Sequence, residues 1–166
     1  MKTKVIPHYF ENDGIIPNNK LPVLIYKNAL KYTEAIDFEF CFNQNGWSNN
    51  WTDIILPYDH FHSNTHEVLG LKSGHAQLML GGKNGKIIQV DAGDVLIIPA
   101  GVGHHSIDNS IDYQFVGVYP NAADWNLKIR LTDEDCTSII DEIAQIPIPA
   151  TDPVYGVDGP LFAYWK

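Results

Sequence analysis

The chain predicts a mainly β protein, an antiparallel barrel or sandwich with a few flanking helices. Three observations carry this. Between residues 47 and 119 the sequence breaks into short β-rich runs, "WTDIILPY", "HEVLGLKSG", "HAQLMLGG", "KIIQVDAG", "DVLIIPAG" and "DYQFVGVYP", punctuated by glycine, asparagine and proline. Helical periodicity is weak across that region. The composition, 45% hydrophobic and 19% charged in 166 residues, is that of a folded chain with one sizeable core. We expect one domain over 1–166, with the barrel core at about 47–120.

Upstream of the barrel, the turn residues of "IPNNKLPVLIYKNAL" precede Val23, Leu24, Ile25 and Tyr26, which read as an entry strand. Thr33 then stands where a helix cap is expected. The following "TEAIDFEFCFNQNG" places Ala35, Ile36, Phe38 and Phe42 near one helical face and stops at Asn45-Gly46. Within the barrel, "GGKNGK" reads as a hairpin tip in which Asn84-Gly85 takes up the positive φ of a tight turn. After the barrel, "LTDEDCTSIIDEIAQI" predicts a helix capped by Thr132, with Ile139, Ile140 and Ile143 at helical spacing. The tail "PIPATDPVYGVDGPLFAYW" predicts a strap laid over the barrel, because Phe162, Tyr164 and Trp165 are unfavourable in water.

Eleven basic residues against 20 acidic ones leave a net charge of −9, which repels a phosphate backbone. Nucleic acid is therefore not an expected partner. No window approaches the ~18 apolar residues of a membrane span, and the N-terminus lacks a signal peptide's apolar run, so a cytoplasmic protein without a membrane partner is expected. Cys41 and Cys136 fit no CxxC spacing and sit in apolar helical contexts; reduced, inert thiols are expected.

The chemistry concentrates in "HFHSNTHE", where His60, His62, His66 and Glu67 fall within eight residues although the chain has only seven histidines. His60 and His62 are two apart, so on extended chain both side chains share one face, as a chelating pair requires. Glu67 lies at an odd offset from His60. The turn formers Ser63, Asn64 and Thr65 permit the facing to reset so that Glu67 opens the next strand pointing inward. A second fragment, "GDVLIIPAGVGHH", has a strand ended by Pro99 and a glycine-rich loop that returns His104 or His105 towards the barrel mouth. Three imidazoles and a carboxylate suit a divalent transition metal (Fe, Mn, Ni, Cu or Zn) and are too nitrogen-rich for Ca²⁺ or Mg²⁺.

These fragments resemble the two motifs of the cupins, G-x5-H-x-H-x3–4-E-x6-G and G-x5-P-x-G-x2-H-x3-N. The first reads here His60-x-His62-x4-Glu67-x6-Gly74, and the second Gly93-x5-Pro99-x-Gly101-x2-His104. Ile54 replaces the leading glycine and Asp108 the closing asparagine, which stands one residue late as Asn109. The flanks "IPNNKLPVLIY" and "DPVYGVDGPL" further resemble the YjlB-like proteins, a group of small bacterial single-domain cupins. The resemblance implies an RmlC-like double-stranded β-helix, or jelly-roll barrel. It also implies metal ligation by His60, His62, Glu67 and His104, and a likeness to enzymes that act on small organic molecules.

The expected function is a metal-dependent enzyme, dioxygenase-like first and isomerase second, with a non-catalytic small-molecule binding or sensing cupin as the alternative. Homodimerisation is expected from the resemblance alone. His66 adjoins Glu67 and should face away from it, as a structural or orienting residue or an alternative ligand. His105 is expected at the solvent-facing rim, and His75 on the surface. Tyr58, Gln77, Tyr113 and Gln114 lie on the barrel runs, and some of them should point inward. The four tryptophans read as core and lid.

Overall fold

The computed structural model describes residues 3–30 and 37–166. Thr33, Ala35 and Ile36 lie outside that set. The described residues form strands β1 Lys4–Phe10, β2 Asn19–Lys27, β3 Trp47–Asp53, β4 Glu67–Ser73, β5 His75–Leu80, β6 Lys86–Asp91, β7 Val95–Ile98, β8 His104–Asn109 and β9 Gln114–Pro120. Helices α1 Phe38–Gln44, α2 Cys136–Gln145 and α3 Leu161–Tyr164 flank them. A six-stranded sheet runs β1-β2-β7-β4-β9-β3 and a three-stranded sheet β6-β5-β8. Every strand pairing is antiparallel. Successive strands β4 and β5 fall in different sheets, and β7 lies between β2 and β4, the crossing pattern of a double-stranded β-helix.

The apolar runs explain why the larger sheet is buried on both faces. Side chains alternate along a strand, so Val23 and Ile25 face the barrel interior while Leu24 and Tyr26 face the other way. Leu96 and Ile98 likewise face in, and Val95 and Ile97 out. The interior also takes Leu69, Leu71 and Phe115, and Ala76, Leu78, Leu80 and Val90 from the smaller sheet. The outer face is covered by Phe38 and Phe42 of α1 and by Leu161 and Trp165 of the tail. At Gly70 a Cβ would stand 2.6 Å from the Phe38 ring, so the missing side chain lets α1 lie flat on the sheet. Leu161 and Trp165 of the tail thus pack on the sheet, and the Trp165 indole N–H donates to the Pro22 carbonyl at 2.9 Å.

Several local expectations are corrected. Helix α1 starts at Phe38 with Asp37 as its cap, whose carboxylate accepts from Phe40 N at 3.1 Å; the expected cap Thr33 lies outside the described residues. Helix α2 is preceded by Asp135 rather than Thr132. Both the backbone N–H and the hydroxyl of Thr132 donate to the Asp135 carboxylate, which draws 132–135 into a turn ahead of the helix. Ile139 and Ile143 are buried, while Ile140 is left partly in water. At the hairpin tip the positive φ falls on Gly81 and Gly82, and Gly85 is extended. Strand β1 carried little sequence signal because it is an edge strand containing Pro7, a position where a missing N–H is tolerated.

A third apolar cluster positions the functional end. Ile139 and Ile143 of α2 pack with Ile16, Phe61, Ala100 and Leu131, which pins the segment around Phe61 against the loop after β7.

Candidate metal centre

Residues 60–62 run extended between two neighbours. His60 N donates to His104 O at 3.3 Å and His104 N to His60 O at 3.0 Å; on the other side Phe61 N donates to Lys128 O at 2.8 Å and Lys128 N returns to Phe61 O at 2.9 Å. Phe61 points into the apolar cluster under α2, so alternation sends His60 and His62 together to the opposite side. The loop after β7 closes over them through Gly101, whose N–H donates to His62 O at 2.7 Å. Gly101 has φ +87°, and a Cβ there would meet Asn18 O at 2.7 Å, so this approach requires glycine. The loop then delivers His104 as the first residue of β8, and Glu67 opens β4 as the turn at 63–65 suggested.

The four side chains are buried: His60 is 5%, His62 6%, Glu67 2% and His104 1% exposed. One ring nitrogen from each of His60, His62 and His104 lies within 4.8 Å of the others, an arrangement that could hold a metal ion. Glu67 Oε2 is 3.2 Å from both His62 Nε2 and His104 Nε2. His105, the other candidate for the returning histidine, turns away and pairs with Asp59 at 2.6 Å, half-buried at the rim. His75 is exposed.

The outer ring nitrogens decide the chemistry. His60 Nδ1 is 3.0 Å from Tyr58 O, His104 Nδ1 is 3.0 Å from Val102 O, and His62 Nδ1 contacts Asn126 O. A carbonyl oxygen only accepts, so each Nδ1 carries its ring's proton and each neutral ring turns an Nε2 lone pair inward. Glu67 Oε2, buried beside two of these nitrogens, has no hydrogen-bond donor of acceptable geometry. Lone pairs and a carboxylate oxygen that converge without donors repel one another unless a cation sits among them. Two donors each ~2.1 Å from one ion stand ~3.0 Å apart at a right angle and ~3.4 Å at the tetrahedral angle, so 3.2 Å fits.

Protonation points the same way. Burial, with His104 adding, lowers His60 to about 3. At Glu67 burial favours the neutral acid, but His62 and His104 outweigh it and hold the carboxyl well below its ordinary range. Burial pulls His62 down, and Glu67 together with the Asn126 carbonyl overcomes it, leaving a net upward shift.

Sequence reasoning missed the supports. Asn126, whose carbonyl orients His62, also accepts from Ser63 N at 2.9 Å and donates to Ser63 Oγ at 2.8 Å. Trp125 packs edge-on to His62, with ring centroids 5.3 Å apart, and is 40% exposed. Of the four polar residues expected to include inward-facing ones, Tyr113 joins the core, Gln77 is half-buried, and Tyr58 and Gln114 are exposed. The tyrosine at the site is Tyr119, which donates to Glu67 Oε1 at 3.1 Å. Strand alternation held the clue: Phe115 is a core residue and Tyr119, four further on, faces the same side.

A cleft of about 570 Å³ lies away from this cluster, between the segment 10–21 and α2, with Phe10, Leu21, Ile143 and Ile146 among its walls. Its Asn18 and Asn19 already direct their side-chain amides at backbone carbonyls.

The chain is 37% identical to YjlB of Bacillus subtilis, an uncharacterised protein, over 166 residues and 99% of each chain. It belongs to the YjlB-like cupins. No protein-family model matches the chain. Among solved structures, this cupin is similar to the ketoisomerase WlaRB of Campylobacter jejuni, at 16% identity, TM-score 0.43, and 57% and 75% of the two chains. It is also similar to acireductone dioxygenase of Bacillus anthracis, solved with a cadmium ion in its active centre, at 15% identity, TM-score 0.41, and 66% and 83% coverage. A third likeness, to procruciferin, an 11S globulin of Brassica napus, has 18% identity and TM-score 0.39 and covers 66% of the cupin; the cupin spans only 23% of that chain. Among the described residues no helix is long and apolar enough to cross a membrane.

His66 has a different role from its neighbours. Its Nδ1 accepts from Ala100 N at 2.9 Å and its Nε2 donates to Pro147 O at 3.0 Å, while its ring packs on Trp165 at 4.7 Å. It joins the loop after β7 to the C-terminal strap and faces away from the cluster. Burial lowers its pKa to about 4 from an ordinary 6.5, the Pro147 contact opposing. The folded value lies below the unfolded one, so the unfolded chain binds the extra proton and stability falls as pH drops from 6.5 to about 4. This term amounts to about 3 kcal/mol at full extent. The difference in unfolding free energy between the wild type and His66→Asn, measured by urea titration, is expected to shrink across that window. A difference independent of pH would exclude the buried neutral imidazole.

Proposed function

We propose that His60, His62, Glu67 and His104 hold one divalent transition metal (Fe, Mn, Ni, Cu or Zn), and that the protein is a metal-dependent enzyme acting on a small organic molecule. Dioxygenase chemistry leads and isomerase chemistry comes second. The observation that carries the reading is the convergence of inward lone pairs on a buried carboxylate oxygen with no donor. With four protein ligands, a metal that accepts five or six would keep one or two positions for exchangeable ligands and supply Lewis-acid or redox chemistry there.

The chain's own part is to orient and to exclude water. Backbone carbonyls of Tyr58, Val102 and Asn126 fix the three tautomers. Apolar side chains of both sheets fill the barrel interior, and Tyr58 and Trp125, both partly in water, stand beside the His60 and His62 rings. That filled interior is also what favours the second reading, a binding or sensing cupin that holds a small ligand at the mouth without converting it.

We further propose a single domain over 1–166, supported by the packing of both flanks on one sheet, a homodimer by family resemblance, and a cytoplasmic setting, with free Cys41 and Cys136.

Protein purified without a metal-affinity tag is expected to contain about one transition metal per chain by elemental analysis. Iron, with oxygen uptake on small diketones, thiols or phenols after anaerobic Fe(II) loading, supports the dioxygenase. Zinc or manganese without uptake supports the isomerase or the binder, and saturable ligand binding without product selects the binder. No stoichiometric metal, together with an unchanged metal content in His60→Ala, overturns the reading. Stripping the metal with a chelator should also lower Tm by ~5–10 °C, since a ligand at 100 times its Kd stabilises by ~2.7 kcal/mol.

A further inference from the structure

Glu67 presents the cluster with only one of its two oxygens. Oε2 faces His62 and His104 at 3.2 Å each, whereas Oε1 is turned to the Tyr119 hydroxyl at 3.1 Å. That hydroxyl accepts from Trp51 Nε1 at 2.8 Å. An indole N–H only donates, so Trp51 occupies an acceptor site of the hydroxyl and leaves the phenolic proton for Glu67. The direction of the chain of bonds, Trp51 to Tyr119 to Glu67, is therefore fixed by the chemistry of its first member.

The fold is shaped to make this contact. Trp51 and Gly117 are partners across β3 and β9, and Tyr119 is the next residue on the Gly117 face. A Cβ at Gly117 would stand 2.1 Å from the Trp51 ring, so glycine is what lets the indole lie across β9 and reach residue 119. Trp125 stacks on the Tyr119 ring, with centroids 6.0 Å apart and planes 24° from parallel. Tyr119 itself is 1% exposed, which shields the bond to Glu67 from water.

We propose that Trp51 and Tyr119 are positioning residues that hold Glu67 as a one-oxygen donor to the metal. This rests on the metal-binding reading above. A carboxylate free at both oxygens binds a cation through either one or two of them; with Oε1 engaged by Tyr119, only Oε2 is presented. The relay sets ligand number and leaves a coordination position that a two-oxygen glutamate would fill.

The test uses cobalt(II) alone as the probe, titrated into the metal-free full chain and read by visible absorption and by competition with a chelator. Tyr119→Phe is expected to bind cobalt ~10–100-fold more weakly and to change the position or intensity of the visible band, because Oε1 is freed. Trp51→Phe should move both readouts the same way by less, and it carries the same test should Tyr119→Phe not fold. A purely structural role would leave the band of the folded, cobalt-loaded variants unchanged. A wild-type band and affinity in both variants overturn the relay while the metal site stands. No cobalt band in the wild type overturns the metal-binding reading and the relay with it.

Discussion

Replacing His104 by alanine is expected to strip the protein of metal, with affinity lowered by more than about 100-fold. That loss should exceed the ~10–100-fold typical of removing a residue that merely supports a ligand. His104 is the one candidate donor supplied from outside the 60–67 segment. It is 1% exposed, its Nδ1 proton is taken by Val102 O, and its Nε2 lies 3.2 Å from Glu67 Oε2. Alanine removes the nitrogen and leaves two histidines and a carboxylate, a poorer cage for an ion that prefers four or more donors. The adjacent His105→Ala is the control, because His105 pairs with Asp59 at the rim and should keep full metal content. Elemental analysis after dialysis, with circular dichroism to confirm folding, checks both. Stoichiometric metal in His104→Ala, or its loss in His105→Ala, contradicts the assignment.

Trp165→Ala is expected to cost about 3–5 kcal/mol of stability and to lower Tm by roughly 10 °C. The indole is 2% exposed, packs with Leu24, Tyr26 and Leu161 on the outer face of the large sheet, and lies tilted against the His66 ring. Its removal opens a cavity and leaves the Pro22 carbonyl without its donor. It also removes the wall against which His66 holds the loop after β7, the loop that delivers His104. The variant should therefore lose metal affinity as well as stability, whereas exposed Val157→Ala in the same tail should change neither. Thermal unfolding followed by circular dichroism decides this, and a Tm shift under about 2 °C would mean that the strap is not part of the core.

The legible parts of the molecule were those that local periodicity controls. Runs such as "VLIY" and "VLII" announced strands, and the turn formers between His62 and Glu67 announced a turn between two extended segments. The parts that could not be read depend on distant partners. Strand β1 is held by its pairing to β2 and has little apolar alternation of its own, and β8, "HHSIDN", is polar because only some of its residues face the interior. The cap of α2 was misplaced because Asp135, nearer the helix than Thr132, stands at its boundary. Tyr119 and Asn126 escaped notice because neither carries a metal-ligand signature.

Sequence alone determined the chemical inventory and the facing. Alternation along extended chain put His60 and His62 on one side, and the turn formers at 63–65 permitted Glu67 to join them, as the cupin resemblance implied. The tertiary structure decided how those groups are used. His60 and His104 find their orienting carbonyls two residues away, at Tyr58 and Val102, once the two segments bridge each other. His62 finds its own at Asn126, 64 residues along the chain, and Glu67 is divided between His62, His104 and Tyr119. The physical reason is that side-chain facing follows from a strand's own two-residue period. Which nitrogen bears the proton and which oxygen is left free depend on acceptors and donors that only folding brings within hydrogen-bonding distance.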